Sequence, residues 1–600
     1  MRRSLPFLAL FSTAVAAQSP SPPAAAPVAE PGADAAPRRG VVELEVLGVD
    51  GAPRAAVLSA LDIAAYTRRT TIGSARLERL LGEAPGEVRE ALEVFGWYGA
   101  TAEVSREPLP ERRHRVVVRV LPGEPVRVGS VDVAVDGPAA GEAAIARRVD
   151  GFAPRVGAVL DHRAYEAGKA GIERSLQRLG YFDARLVAHR VEVSRTERRA
   201  DIHLRWTSGE RHRFGATTFE GAQFPAAFMR RFRPWEDGEP YDQAQIEAMQ
   251  QRLAASGYFA GIEIEPLVEQ RADGRLPMRV AMTPAARSAW TLGAYYEANY
   301  GGGLRGGLDR RWLNDRGHSA RIDVEAAQAL QTATFEYRIP HHNLFGATWL
   351  AGIGLRNEDT DSVDGRSALL RAGLLGSWQD WTGIVSANAL RGSFRVGSRR
   401  LSPGRDNATV VYPEVSLGKV FARDRIRPKQ GASLRFTARA ASTAVGSDLD
   451  LLQLRAEGRY VMPLGEAGRL LGRLELGWTN TDRFARLPPD LRFFAGGDGS
   501  VRGYAWQDLG PRDVDGRPTG APKVATASLE YEHAFRPDWA WAVFVDGGNA
   551  FDDRGVQPEF GVGAGVRWAS PIGPVRLDLA WGLDEALGGF QLHFSAGPDL

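Results

Sequence analysis

The 600-residue sequence contains no cysteine. Disulfides, thiolate metal sites and thiol nucleophiles are therefore excluded. Charge of one sign is also lacking: 75 basic residues face 73 acidic ones for a net of +2, so no charge excess points to nucleic acid as a partner. Beyond the N-terminus there is no apolar run of the length a bilayer-spanning helix needs, about 18 residues, so a membrane form of this chain is a barrel. No Gly-x-Ser-x-Gly elbow occurs, which argues against a lipase.

What is present begins with "MRRSLPFLALFSTAVAAQS". Arg2 and Arg3 precede an apolar run from Leu5 to about Ala16 and then small residues near Ala17, the pattern of a secretory signal over residues 1–17. Residues 18–39, rich in Pro and Ala, hold almost no large apolar side chain and read as a disordered linker.

Three glycines organise the following stretch. Gly96, Gly180 and Gly257 are each followed by two aromatics, and each has apolar residues four and eight positions upstream: Leu92 and Val88, Leu176 and Ile172, Leu253 and Met249. That spacing stacks side chains on one helix face. A helix therefore ends near each glycine, which supplies the positive φ of a C-terminal cap, and the aromatics are expected to begin a strand. The glycines are 84 and 77 residues apart, which suits three small domains, expected at 40–123, 124–209 and 210–285, each strand, helix, helix, strand, strand. This repeat resembles POTRA domains, the periplasmic modules that precede certain outer-membrane barrels. Their exposed strand edges can add a strand from unfolded polypeptide.

From about Arg287 the texture changes to segments near ten residues long that alternate apolar with polar or small side chains. Trp539, Trp541, Val543 and Val545 share one face, against Ala540, Ala542, Phe544, Asp546 and Gly548. Two later segments repeat the pattern and put Arg567, Arg576 and Asp578 on the inner face. Charge on one face and continuous apolar surface on the other mark a lipid-embedded barrel with a wet lumen, expected over residues 286–600. Roughly 20 residues per strand and turn give about sixteen antiparallel strands, an even count that returns both termini to the periplasmic side.

One long segment does not alternate. From about Arg483 to Lys523 it includes "FFAGGDGSVRGYAWQDLGPRD", with Arg502 between Val501 and Gly503. Loops of that length in compact domains are usually functional or disordered, and this one is expected to fold into the lumen. Its guanidinium needs carboxylates there, and two inward ones lie downstream, Glu530 and Asp546. Exchanging the charges at 502 and 546 is expected to recover part of what either single change loses.

"VRGY" (Val501–Tyr504) and "FVDGG", with Phe544, Asp546 and Gly548, resemble the paired signatures of the BamA/TamA/two-partner-secretion superfamily of outer-membrane assembly and translocation barrels. The three POTRA-like units and the ending "FQLHFSAGPDL" are most similar to its TamA branch. The resemblance implies that Arg502, Gly503 and Tyr504 form a lumenal lock with Glu530, Phe544, Asp546 and Gly548. It also implies a TamB-like inner-membrane-anchored partner, unfolded outer-membrane protein clients and the outer-membrane bilayer as surroundings. Related readings are a BamA-like general assembly factor and a two-partner-secretion pore; a diffusion porin would need no POTRA train.

No reaction and no cofactor are expected. Insertion of a barrel requires every backbone polar group to be satisfied in lipid, so a helper gains most by offering a strand edge. The seam between first and last strands is the natural place. Leu292 and Gly293 lie on the first, and Phe590, Leu592 and Phe594 on the last, bracketed by Gly588, Gly589 and Gly597; glycine weakens strands. Other patterns read as turns: Gly301-x-Gly303-x-x-Gly306 has no strand-helix-strand unit around it. His341 and His342 have no third ligand nearby, so no metal is expected.

Overall fold

A computed structural model describes residues 40–600 apart from 70, 111, 298–299, 342–345, 361, 399–403, 423, 425–426, 571–572, 585–587 and 597–600. The signal and linker expected at 1–17 and 18–39, together with His342 and Gly597, lie outside the described residues.

The helix faces read from the glycine repeat become three cores. The first unit runs β1 (Val42–Leu47), α1 (Gly51–Ala60), α2 (Ser74–Glu93), β2 (Thr101–Leu109) and β3 (Arg113–Leu121). The second runs β4 (Arg127–Asp136), α3 (Ala143–Asp150), α4 (His162–Arg178), β5 (Arg185–Ser194) and β6 (Arg199–Thr207). The third runs β7 (Arg213–Glu220), α5 (Ala226–Met229), α6 (Gln243–Ala255), β8 (Phe259–Pro266) and β9 (Arg275–Pro284). In each, the last strand is central, parallel to the first and antiparallel to the second. Val88, Leu92, Ile172, Leu176, Met249 and Leu253 are fully buried against these sheets.

The glycine after each helix adopts φ of 84°, 89° and 70° at Gly96, Gly180 and Gly257. The aromatics that follow begin a strand only in the third unit; in the others β2 and β5 start four residues later. The difference has a packing reason. Tyr98 meets His162 of the next unit at 2.6 Å, Phe182 packs on Tyr241 of the next at 5.0 Å between ring centroids, and Tyr258 donates to the Gly317 carbonyl of the barrel at 2.7 Å. Burial pushes the Tyr258 hydroxyl up to about 12, so it remains a donor. The aromatics thus join each unit to its successor.

Among the described residues the barrel is a single antiparallel sheet of sixteen strands in chain order, from β10 (Ser288–Glu297) to β25 (Phe590–Ala596). Lipid-facing side chains such as Trp541, Leu577 and Phe594 are exposed, and their neighbours in sequence point inward. Among the described residues no ladder joins β10 to β25. Gly301, Gly303 and Gly306 lie within β11 (Gly301–Arg310), not in a turn. The register places Gly303 opposite Tyr295, and a Cβ at Gly303 would come within 2.7 Å of that ring, so the strand needs glycine to seat an aromatic. At the periplasmic rim Arg231 donates to the His341 carbonyl at 2.6 Å, and Phe224 contacts Trp312 at 6.2 Å, tying the third unit to the first hairpins.

Candidate functional site: a locked plug in the barrel lumen

The segment between β20 (Gly468–Thr481) and β21 (Lys523–Arg536) has no alternation because it is not wall. It lies inside. Leu487 and Leu491 pack on inward Leu390, Val410, Tyr412 and Leu451, while Phe493, Ala495, Val501, Tyr504 and Leu509 pack with Val524 and Ala550 across the lumen. Burying this apolar surface offsets the entropy of ordering a long loop.

Its charged centre is Arg502, only 6% exposed. Nε and Nη2 donate to the two oxygens of Asp546 at 2.7 and 2.9 Å, and the backbone N–H donates to the same carboxylate at 3.0 Å. Nη1 donates to Glu530 at 2.7 Å and to Asp578 at 3.1 Å. Phe544 stacks beneath, with the guanidinium carbon 3.3 Å from its ring centroid. From the opposite side Arg567 donates to Glu530 at 2.7 Å and to Asp578 at 2.5 Å. Two acids are thereby each shared by two arginines. Charge-assisted forks of this kind are strong and geometrically strict, and burial is tolerable because each carboxylate oxygen of the three acids has a donor.

The wall is hollowed for the plug backbone. A Cβ at Gly561 would sit 1.8 Å from the Arg502 carbonyl oxygen. At Gly503, where φ is 94°, a Cβ would meet the Gly582 nitrogen at 2.4 Å. Tyr504 donates to the Phe560 carbonyl at 3.0 Å and accepts from Asp584 N–H at 3.2 Å. Gly548 serves the wall: its Cβ would strike the Ala525 carbonyl oxygen at 2.2 Å.

Replacing Gly561 by Ala is expected to lift the plug from the wall and to destabilise the barrel by about 1–3 kcal/mol, as overpacking does. Trypsin should then cut faster within 482–522, at Arg512. Gly472→Ala is the control, since nothing lies within 4 Å of its Cβ position; equal cleavage of both variants would refute the steric account.

A family profile described as the Omp85 superfamily domain matches residues 414–599. That span holds the plug and every residue of its lock. The chain carries an Omp85 superfamily domain. A second profile, described as POTRA domain TamA domain 1, matches residues 43–122, the first unit before the Omp85 barrel. Outer membrane protein assembly factor BamA of Nitratidesulfovibrio vulgaris is 24% identical over 388 residues, covering 60% of this chain and 48% of that protein. The chain thus spans about half the length of the curated relative it matches. The crystal structure of BamA from Haemophilus ducreyi lacking POTRA domains 1-3 superposes with a TM-score of 0.67 at 16% identity, over 79% of this chain and 99% of that one. The fold is therefore shared with an outer-membrane barrel, which places this chain in the outer membrane with its POTRA units in the periplasm.

Within the Omp85 domain the structure gathers Arg502, Gly503, Tyr504, Glu530, Phe544 and Asp546 around one point, with Gly548 beside them. It adds groups that sequence reasoning did not join to the lock. Asp578 and Arg567 were legible as lumenal charges, but not as direct partners of Arg502 or Glu530. Arg473 on β20 donates to the plug carbonyls of Asp498 and Ser500 at 3.0 and 2.6 Å. His593 on β25 accepts from Gly503 N–H at 3.2 Å. At the seam Leu292, Phe590, Leu592 and Phe594 face lipid. Gly582 N–H donates to the Gly589 carbonyl at 3.2 Å, and Gly588 N–H to that of Asp584 at 2.9 Å.

Proposed function

We propose that the protein assembles or translocates outer-membrane β-barrel proteins of the autotransporter kind, by lending them a strand edge at the seam between β10 and β25. The observation that supports this most directly is that, among the described residues, the sixteen-strand sheet ends in β10 and β25 with no ladder between them. An unpaired edge in lipid leaves N–H and C=O groups that a client strand can satisfy, and this lowers the cost of inserting that client. The three-stranded POTRA sheets, whose outer strands carry open edges among the described residues, suit delivery of unfolded chain from the periplasm. A TamB-like inner-membrane-anchored protein is the partner that would bring clients or lipid to them. The plugged lumen disfavours a diffusion porin.

Depletion of the protein from its cell tests this. Selective disappearance of a subset of outer-membrane barrels is the expected result. Unchanged barrels with altered solute uptake would refute the assembly reading, and loss of one secreted protein alone would redirect it to a secretion pore.

A further inference from the structure

The same plug touches the barrel on both sides of the seam, at residues that the arginine lock does not use. On the last-strand side, His593 of β25 is buried and its Nε2 accepts from Gly503 N–H at 3.2 Å. Because that nitrogen accepts, the ring proton sits on Nδ1, which faces the Asp498 carboxylate. Both partners are plug residues, four before and one after Arg502. On the first-strand side, Trp506 packs edge-on against Tyr300, at the tip joining β10 to β11, with ring centroids 6.1 Å apart and an interplanar angle of 68°. Tyr300 is buried there with Ala327 and Leu330.

We propose that plug residues Asp498–Trp506 clasp the seam from the inside, with His593 and Tyr300 as the two wall contacts, where no ladder joins β10 to β25 among the described residues. The proposal rests on the seam reading above. The clasp is built to be weaker than the anchor. Arg502 is held by three carboxylates, whereas each end of the clasp is neutral stacking or a single histidine. Gln507, beside Trp506, has φ of 60°, a strained value for a residue with a side chain. Among the described residues the buried Trp506 indole N–H meets no acceptor, which costs free energy that release into water recovers. Trp506 and His593 can therefore let go while Arg502 stays seated. His593 and Trp506 act as positioning residues for the seam edges.

Absence of cysteine allows a direct test on the full chain in lipid nanodiscs. Spin labels at Leu292→Cys and Leu592→Cys, both lipid-facing, report the width of the seam. In the Trp506→Ala, His593→Ala variant the distance distribution is expected to broaden and lengthen by about one strand spacing, ~5 Å. Trp506→Phe with His593→Gln, which keeps a ring and both hydrogen-bonding roles, should restore the narrow distribution. Should the double alanine variant fail to fold, Asp498→Asn gives the milder break and should broaden the distribution partly. An unchanged distribution in folded protein would overturn the clasp. A widened seam in this variant, together with undiminished client insertion when β10 and β25 are crosslinked, would sustain the clasp and instead sink client pairing at the seam.

Discussion

Arg502→Ala is expected to destabilise the barrel by about 3–5 kcal/mol, the penalty for removing one partner of a buried ion pair, and to abolish client assembly in a depleted cell. The cost arises less from lost attraction than from what remains. Asp546 is wholly buried and loses both side-chain donors from the plug, while Glu530 and Asp578 each lose one arginine and keep Arg567. Thermal unfolding followed by heat-modifiable mobility measures the loss. Arg502→Lys keeps the charge but offers one point of donation where a planar fork reaches three carboxylates, so it should recover only a part. Reversing the charges at 502 and 546 together should recover less than an isolated pair would, because Glu530 and Asp578 would still confront the new acid at 502. The cleaner cycle is Arg502→Ala with Asp546→Ala: removing the stranded carboxylate should make the double variant milder than the sum of the singles. Additive losses would show that the lock does not act as a unit.

Why some of this site was legible and some was not follows from what alternation encodes. A period of two assigns each wall residue to a face. It thus identified Glu530, Asp546, Asp578 and Arg567 as lumenal, and Arg502 as their visitor. Alternation says nothing of height along the barrel axis, which depends on register. Gly565 stands opposite Asp578, and Asp546 opposite Gly561, and only that alignment brings the second arginine and third acid to one level. Glycine is ambiguous in the same way: the inward glycines of β23 (Glu559–Ser570) alternate as ordinary wall positions, yet they make room, since a Cβ at Gly561 would strike the plug's Arg502 carbonyl oxygen at 1.8 Å and one at Gly565 the Asp578 carboxylate at 1.9 Å. The same ambiguity misplaced Gly301, Gly303 and Gly306. Glycine punctuates turns, and it also makes room for a ring across a strand, and the sequence does not print which neighbour will need the space. His593 escaped notice because a lone histidine on an inner face has no periodic partner. Its counterpart is ninety residues away in the plug.

Crosslinking the seam is expected to stop client insertion entirely and reversibly. Without native cysteine, a cysteine at 292 on β10 paired with one at 590, 592 or 594 on β25 gives a unique thiol couple on the lipid-facing surface. A disulfide needs Cα atoms roughly 4.4–6.8 Å apart, so the pair that forms in highest yield also reports how the two edges align. In the oxidising outer compartment the bond should persist, holding β10 against β25 so that no third strand can enter. Each backbone group denied a partner in lipid costs several kcal/mol, and a client facing a closed edge must bear that cost alone. Insertion should therefore fall to the level of the depleted cell and return on reduction, whereas either cysteine alone should have no effect. Undiminished insertion by protein whose crosslink is verified on a gel would remove the seam from the mechanism. It would shift the burden to the POTRA edges, which the disulfide leaves free.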